Sequence, residues 1–170
     1  TQKISKILTM VKKKYLDQIL LERNKDEKKK LELKERVFKT FNNFLKYSYK
    51  SELKEKMELL DLGSADNSFI KVANKHGLHS TGLDIDQVNF ENQDLPFEDN
   101  KFDVVTANSV IEHINNPEIF LKNIRRVLKD KGFFIIVTPN WRYSYKNFYN
   151  DPTHVHPYTP ESLNFLLKSF

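Results

Sequence analysis

The chain has 170 residues, a formal net charge of +5 and no cysteine. The length is enough for one domain with a hydrophobic core, and the missing cysteine excludes disulfides, thiol nucleophiles and cysteine metal sites. The longest apolar run, Phe133–Val137, is too short to span a membrane, no signal peptide is visible, and the composition fits a reducing, cytoplasmic compartment.

The first 50 residues carry most of the positive charge. They hold 15 Lys and Arg against 6 Asp and Glu, a balance of +9, which leaves 28 − 15 = 13 basic and 23 − 6 = 17 acidic residues for the rest. Such a basic segment is able to bind nucleic acid or anionic lipid. Because Lys and Glu are interspersed there, we favour a solvated helical surface. We therefore predict a basic helical extension over residues 1–50 and a second domain over residues 51–170.

Apolar residues at helical spacing predict two helices in this extension. The first covers residues 4–20, and a polar break follows at residues 24–30. The second carries its apolar stripe on Leu33, Val37, Phe38, Phe41, Phe44 and Leu45. We expect these helices to cover a sheet edge or the opening of a site, with a membrane-surface role as the weaker alternative.

A strand, a tight turn and a helix are predicted next. The apolar stretch Met57–Leu62 ends at Gly63, and helical spacing covers Ser68–Lys75, with Gly77 as a natural helix stop. A glycine turn lets the backbone approach a ligand, and the helix after it offers unpaired N–H groups. Asp61 lies at the carboxyl end of the strand, where open α/β sheets bind ligands.

Strands and helices alternate through the rest of the chain. Further strands are predicted at Ser80–Ile85, Phe102–Ala107 and Phe133–Val137, the last of them fully buried, with a helix around residues 119–128 and Gly132 ending that connection. This alternation predicts an α/β fold with a doubly wound, mostly parallel sheet. Residues 84–95 leave no room for a full helix and strand. Residues 140–158 form a long aromatic-rich loop before a last helix from Pro160.

Asp84 lies 84 − 63 = 21 residues after Gly63. An acid at that distance is placed to bind two ribose hydroxyls, in NAD enzymes and S-adenosylmethionine enzymes alike. Dinucleotide loops need further glycines, but Ala65 and Asn67 stand at those positions. Asp61 would repel a pyrophosphate, whereas it suits a ligand with an ammonium or sulfonium group. These residues favour S-adenosylmethionine over NAD.

Five segments in this order resemble class I S-adenosylmethionine-dependent methyltransferases. The resemblance covers Met57–Phe170 and implies a Rossmann-like fold and an enzyme, although the family normally continues into two further strands. The segments are D-L-G-S-A (61–65), G-L-D-I (82–85), D-L-P-F-E-D-N-K-F-D-V-V (94–105), N-S-V-I-E-H-I (108–114) and R-R-V-L-K-D-K-G (125–132).

The resemblance implies cofactor-binding roles. Asp61 would hold the amino group of the cofactor, Asp84 its ribose hydroxyls and Ile85 its adenine. Glu112 and His113 are expected to be structural, capping or packing a helix. The complete implied cofactor-binding set is Asp61, Gly63, Ser64, Ala65, Asp84, Ile85, Asn89, Phe90, Asn108 and Ser109.

The methyl acceptor is expected at Asn150–Thr159, N-D-P-T-H-V-H-P-Y-T, which resembles loops of methyltransferases in saccharide pathways. His154 and His156 are the predicted catalytic bases, with Asp151 and Tyr158 as substrate-binding residues. Hydrogen-bonded loop histidines are the plain alternative. We predict no metal site, because a metal held by this histidine pair would need a third ligand from elsewhere.

The sequence thus predicts methyl transfer from S-adenosylmethionine to an oxygen or nitrogen of a small-molecule or saccharide-type acceptor, with S-adenosylhomocysteine as product. One alternative is a catalytically inactive, methyltransferase-like binding or scaffold domain, which Ala65 and Asn67 favour. Another is an RNA methyltransferase that uses the basic helices, although no aromatic and basic recognition motif supports a nucleic-acid partner. An NAD-dependent dehydrogenase is the weakest alternative. Neither the acceptor nor the oligomeric state follows from the sequence.

Overall fold

The computed structural model describes residues 26–170, so the helix predicted over residues 4–20 lies outside the described part of the chain. The described residues form two compact units, residues 26–87 and residues 88–170. The first unit contains helix α1 (Glu27–Tyr49), strand β1 (Glu58–Leu62), helix α2 (Ser68–Lys75) and strand β2 (His79–Leu83). The second unit contains strand β3 (Phe102–Asn108), helix α3 (Pro117–Val127), strand β4 (Leu128–Val137), helix α4 (Trp141–Ser144) and helix α5 (Pro160–Leu167).

Helix α1 begins earlier than the sequence suggests. Asp26 caps it by accepting hydrogen bonds from the backbone N–H groups of Lys28 and Lys29. The predicted polar break over residues 24–30 is therefore wrong from Glu27 onwards. The reason is that Lys and Glu are good helix formers once a capping residue satisfies the first N–H groups. No helix within residues 26–170 has the length and apolar character of a membrane span.

Aromatic packing fixes helix α1 on helix α2. The rings of Phe38 and Phe41 lie 6.4 and 5.7 Å from the ring of Phe69. Phe38 also stacks on His76 at 4.2 Å, and His76 Nε2 lies 2.9 Å from the Glu35 carboxylate. Phe38, Phe41 and Leu45 of the predicted apolar stripe are almost fully buried, which confirms that part as a packing surface. Leu33 and Phe44 of the same stripe are each 51% exposed, so the prediction is wrong for them.

Replacing Phe41 with Ala is expected to lower the free energy of unfolding by about 3 kcal/mol, since a buried ring is lost and a cavity remains. Phe44 lies three residues further along the same helix and is the matched control, being 51% exposed where Phe41 is 5% exposed. Chemical denaturation of Phe41→Ala and Phe44→Ala measures both effects. Equal losses in the two variants would contradict the assigned packing of α1.

Strands β1 and β2 form a parallel pair, with register from Glu58 opposite His79 to Leu62 opposite Leu83. The side chains of Leu59, Leu60 and Leu62 are completely buried. Helix α2 has the predicted bounds, whereas β2 ends two residues before the predicted Ile85. Asp61 and Asp84 consequently lie at the same carboxyl edge of this pair, one within β1 and the other directly after β2.

Strands β3 and β4 form the parallel pair of the second unit, with α3 between them. Strand β4 begins at Leu128, so Gly132 lies inside the strand and does not end the connection as predicted. A Cβ at Gly132 would lie 2.7 Å from the Leu128 side chain and 3.0 Å from the Asp103 carbonyl oxygen, so this close approach needs glycine.

The predicted full burial of Phe133–Val137 is wrong, because only Ile135 of this segment is buried. Within the described residues, β4 has a strand partner on one side only. Residues 84–101 contain neither helix nor strand, which confirms that the connection after β2 is too short for both. The predicted long loop includes α4 and a 3₁₀ turn at Phe148–Asn150.

Candidate functional site

The turn after β1 has an unusual backbone. Gly63, Ala65 and Asn67 all adopt left-handed conformations, with φ values of 75°, 48° and 58°. Only Gly63 does so without a steric cost, while Asn tolerates this conformation better than Ala. The backbone of the turn therefore has the left-handed conformation typical of glycine at all three positions, although two of them carry side chains.

Asp84 holds this turn in place from the end of β2. Its carboxylate accepts hydrogen bonds from the backbone N–H groups of Ala65, at 2.8 Å, and Ile85, at 2.6 Å. The N–H of Gly63 donates to the Leu83 carbonyl oxygen at 2.8 Å and ties the turn to β2 a second time. A carboxylate has about four acceptor positions, so Asp84 retains capacity for two further hydroxyl groups.

Gly82 allows the turn to lie directly against β2. A Cβ at this position would be 2.4 Å from Asn67 Oδ1, 2.7 Å from Ser64 Oγ and 2.8 Å from Ser64 Cβ. Real Cβ atoms do not approach other atoms so closely. Gly82, the penultimate residue of β2, is therefore required for steric reasons that the sequence alone did not reveal.

Asp66 connects the turn to helix α1 through a 2.8 Å ion pair with Lys30 Nζ. Partial burial by itself raises the pKa of the Asp66 carboxyl, but hydrogen bonds from Lys30 and Ser68 outweigh it and hold this pKa at about 2. The carboxylate of Asp66 also accepts from the Ser68 N–H at the start of α2. Helix α1 thus stabilises the turn as well as packing on α2.

We expect Ala65→Gly to raise the free energy of unfolding by about 0.5–1 kcal/mol. Glycine removes the left-handed strain at φ 48°, and the larger entropy of the unfolded chain offsets part of this gain. Asn67→Gly is the matched control, with a smaller gain or none because Asn tolerates this conformation. Urea denaturation of both variants is the measurement. A gain for Asn67→Gly that exceeded the gain for Ala65→Gly would show that strain at Ala65 is not significant.

The first unit brings together most of the predicted cofactor-binding residues. They come from the end of β1, the turn and the residues after β2: Asp61, Gly63, Ser64, Ala65, Asp84 and Ile85. The Asp61 side chain is buried. The four other predicted residues, which lie in the second unit, are Asn89, Phe90, Asn108 and Ser109.

These residues of the second unit have local partners. The Asn89 side chain accepts a hydrogen bond from the Glu91 N–H, and the ring of Phe90 is buried 5.8 Å from that of Phe120. Asn108 is the last residue of β3, and Ser109 follows it with φ 58°. The Ser109 N–H donates to the Val137 carbonyl oxygen, which fixes the chain at the carboxyl end of β3.

A cluster of ionisable side chains surrounds His154. It comprises Glu112 and His113, from the 3₁₀ turn after β3, and Asp151 from the same loop as His154. One ligand-type atom each of Glu112, His113 and His154 lies within 4.8 Å of the others. His154 Nε2 is 3.9 Å from Asp151 Oδ2. Oxygen and imidazole nitrogen atoms in this arrangement are able to accept protons or bind a metal.

Glu112, like His113, was predicted to be structural and not part of a site. Its side chain is completely buried, and burial raises the pKa of its carboxyl above the usual range. The available signal was an acid inside the otherwise apolar stretch V-I-E-H-I, directly before a histidine. The sequence does not show that residues 40 positions further along the chain meet this pair.

His156 and Tyr158 lie outside this cluster. His156 is exposed, and its Nε2 is 3.0 Å from the Asn115 carbonyl oxygen. Tyr158 is buried, and burial together with the charge of Glu112 raises the pKa of its phenol. The backbone oxygen of Tyr158 accepts a hydrogen bond from the Trp141 N–H, which closes the loop. The structure thus separates the two predicted histidines into different surroundings.

The loop aromatics also divide into two groups. Phe148 is buried, and the rings of Trp141, Tyr149 and His154 lie 5.6, 5.1 and 4.4 Å from its ring. Tyr143 is 86% exposed. The ring of Phe148 therefore packs beneath the loop, while other aromatic side chains of the loop face solvent.

Comparison with known proteins gives the same family as the motifs. A family model described as a methyltransferase domain matches residues 29–170. The chain is 36% identical over 91 residues to the ubiquinone biosynthesis O-methyltransferase of Pasteurella multocida, covering 48% of this chain and 36% of that protein. It is 32% identical over 78 residues to the ubiquinone/menaquinone biosynthesis C-methyltransferase of Pseudoalteromonas translucida, covering 45% and 31%. These matches span about a third of each relative's length.

A solved structure extends the similarity to the fold. The crystal structure of an S-adenosylmethionine-dependent methyltransferase from Archaeoglobus fulgidus matches with a TM-score of 0.58 and 27% identity, covering 77% of this chain and 67% of that one. This match confirms the predicted Rossmann-like α/β fold. Since the family model covers most of the chain, the protein belongs to the methyltransferase-domain family of Rossmann-like, S-adenosylmethionine-dependent methyltransferases.

Proposed function

We propose that this protein transfers a methyl group from S-adenosylmethionine to an oxygen or nitrogen atom of a small-molecule or saccharide-type acceptor. The observation that carries the proposal is the Asp84 carboxylate, which organises the turn over residues 63–67 and keeps acceptor positions for ribose hydroxyls. Membership of the methyltransferase-domain family supports the choice of cofactor. S-adenosylmethionine, when bound, supplies a methyl group that its sulfonium makes transferable.

The residues of the first unit fit this cofactor. Asp61 is a buried acid at the end of β1, which suits the cofactor's ammonium group. Gly63 and Ala65 have left-handed backbone conformations on either side of Ser64. A turn of this kind would let the main-chain atoms of these three residues approach the cofactor closely. Ile85 supplies an apolar surface for adenine. The adenine-contacting roles of Asn89 and Phe90, and the methyl-donor side formed by Asn108 and Ser109, remain predictions from the resemblance.

The methyl acceptor is proposed to bind at the loop over residues 150–159. His154 is the better placed of the two predicted bases. Its Nδ1 lies 2.7 Å from the Phe148 carbonyl oxygen and so carries the proton, which leaves the lone pair of Nε2 as a proton acceptor. Exposed His156 and buried Tyr158 are proposed to contact the acceptor from the loop, with Asp151. Alignment of acceptor and donor would supply much of the rate enhancement.

Two observations support the acceptor class. The segment D-P-T-H-V-H-P-Y-T resembles saccharide-pathway methyltransferases. Two relatives are methyltransferases of quinone biosynthesis, one acting at oxygen and one at carbon, which favours a small molecule over RNA. We also propose the cytoplasm as the compartment, because the chain has no cysteine.

Transfer of a labelled methyl group tests the proposal. The full chain is incubated with methyl-labelled S-adenosylmethionine and separate panels of saccharides, small phenols and amines, and RNA, and labelled products are identified by mass spectrometry. Label in a small molecule or saccharide is the expected result. Label in RNA alone would favour the RNA methyltransferase alternative. Cofactor binding without transfer to any panel would favour the inactive binding domain.

A further inference from the structure

We propose that Glu112, His113 and His154 form a binding site for a divalent transition-metal cation of the zinc, manganese or iron type. The site lies wholly in the second unit, between the 3₁₀ turn Ile111–His113 and the loop that follows β4. It goes beyond the proposed methyl transfer because it concerns a cation and depends on none of the cofactor residues, although it shares His154 with the proposed acceptor site.

The backbone brings these residues together in a defined way. The N–H groups of Val155 and His156 donate to the Glu112 carbonyl oxygen at 2.8 and 3.2 Å. The loop is therefore fixed against the 3₁₀ turn directly after His154. Side chains that ligate a metal need such rigid support, since their rotamers must be held before the metal arrives.

The hydrogen bonds of Nδ1 hold both histidine rings in place. His154 Nδ1 lies 2.7 Å from the Phe148 carbonyl oxygen and must donate to it. The Thr153 hydroxyl donates to Asp151 Oδ1, so it accepts from His113 Nδ1, which lies 2.8 Å away. Histidine metal ligands usually donate their second ring N–H to a carbonyl, carboxylate or similar acceptor, as both histidines do here.

Glu112 gives the second, independent observation. Its side chain is completely buried, and Oε2 accepts a hydrogen bond from the Thr138 hydroxyl at 3.0 Å. Oε1 is buried, and no other residue in the described part of the chain donates a hydrogen bond to it. A buried carboxylate oxygen without a partner is costly, and a cation beside it would remove that cost.

The donor set indicates the kind of metal. Two imidazole nitrogens and one carboxylate suit zinc and the neighbouring transition metals, whereas magnesium and calcium prefer oxygen ligands. Ligand atoms around tetrahedral zinc lie about 3.4 Å apart. Those of Glu112, His113 and His154 lie within 4.8 Å of one another, so the side chains need to approach by up to roughly 1.4 Å on binding. Asp151 Oδ2, at 3.9 Å from His154 Nε2, is near enough to serve as a fourth ligand.

A metal at this place also constrains the catalytic proposal. With a metal bound, His154 Nε2 is a ligand and cannot accept a proton from the acceptor. If Asp151 does not ligate, a cation held by the three other side chains would keep an open position for water or an acceptor hydroxyl and would lower the pKa of that oxygen.

Calorimetric titration of the full chain with Zn²⁺ tests the site, with the visible spectrum of bound Co²⁺ as a second readout and Mg²⁺ as the weak-binding comparison. We expect one equivalent of Zn²⁺ on the wild type, and affinity lowered at least about 100-fold in Glu112→Gln and in His154→Ala. His79→Ala is the matched control. His79 also pairs with a glutamate, Glu58, but lies at an exposed position of the first unit, so its loss should not change the affinity.

Three results would overturn the proposal. They are the absence of Zn²⁺ binding to folded wild type, equal affinity in wild type and both cluster variants, and a loss of affinity as large in His79→Ala as in His154→Ala. Circular dichroism checks that each variant folds, and His113→Gln replaces any variant that does not. Titration of the same samples with S-adenosylmethionine is read separately, so failure of the metal site and failure of the cofactor site are distinguishable.

Discussion

Asp84→Ala is expected to weaken S-adenosylmethionine binding by at least about 100-fold. The carboxylate is proposed to accept two ribose hydroxyls, and a hydrogen bond to a charged group contributes roughly 1.5–3 kcal/mol, where about 1.4 kcal/mol is tenfold in affinity. The same carboxylate accepts the Ala65 N–H, so its removal also loosens the turn. Isothermal titration calorimetry measures the dissociation constant.

Two companion variants separate these effects. Asp84→Asn retains an oxygen that can accept the Ala65 N–H, so it should keep the turn and lose about tenfold in affinity. Asp86→Ala removes an exposed acid two residues away and should bind as the wild type does. Wild-type affinity in folded Asp84→Ala would show that this residue does not bind the ribose.

Gly82→Val should abolish measurable cofactor binding and lower the free energy of unfolding by about 1–3 kcal/mol. A side chain at this position would enter the space of Ser64 and Asn67, with the first added carbon 2.4 Å from Asn67 Oδ1. The Asn67 and Ser64 side-chain ends can rotate away, but Ser64 Cβ, 2.8 Å from the added carbon, is fixed by the backbone. The turn must therefore shift away from β2, which disrupts its hydrogen bond to Asp84. Titration calorimetry and chemical denaturation measure the two effects.

Ser80→Ala is the control on the same strand. Its hydroxyl oxygen is buried without a partner in the described part of the chain, so its removal should be neutral or slightly stabilising and should leave cofactor binding unchanged. If Gly82→Val bound the cofactor as well as Ser80→Ala does, the close approach of β2 to the turn would have no role in binding.

Local patterns predicted much of the fold. The apolar stretch before Gly63 and the helical spacing after it gave strand β1 and helix α2 with nearly the observed bounds. The start of α1 was missed because the cap at Asp26 outweighs the polarity of the following residues. The sequence did not predict where β4 begins or that it is only partly buried. Both depend on pairing with β3, and local composition carries no information about that pairing.

The sequence predicted the candidate site only where the order of strands along the chain determines which residues lie close together. Asp84 could be found because a strand ends there, 21 residues after Gly63, and parallel neighbours end at one edge. The contact between the Ile111–His113 turn and the His154 loop joins segments about 40 residues apart through hydrogen bonds to the Glu112 carbonyl. No local pattern encodes that contact, so Glu112 was expected to be structural and the histidine pair was considered without it.

The central claim is that the turn beside Asp84 binds S-adenosylmethionine. Isothermal titration of the full chain with S-adenosylmethionine, S-adenosylhomocysteine and NAD tests it most directly. One equivalent of each sulfur ligand should bind, with no heat from NAD beyond dilution. No binding of either sulfur ligand to a folded sample, or binding of NAD alone, would contradict the account.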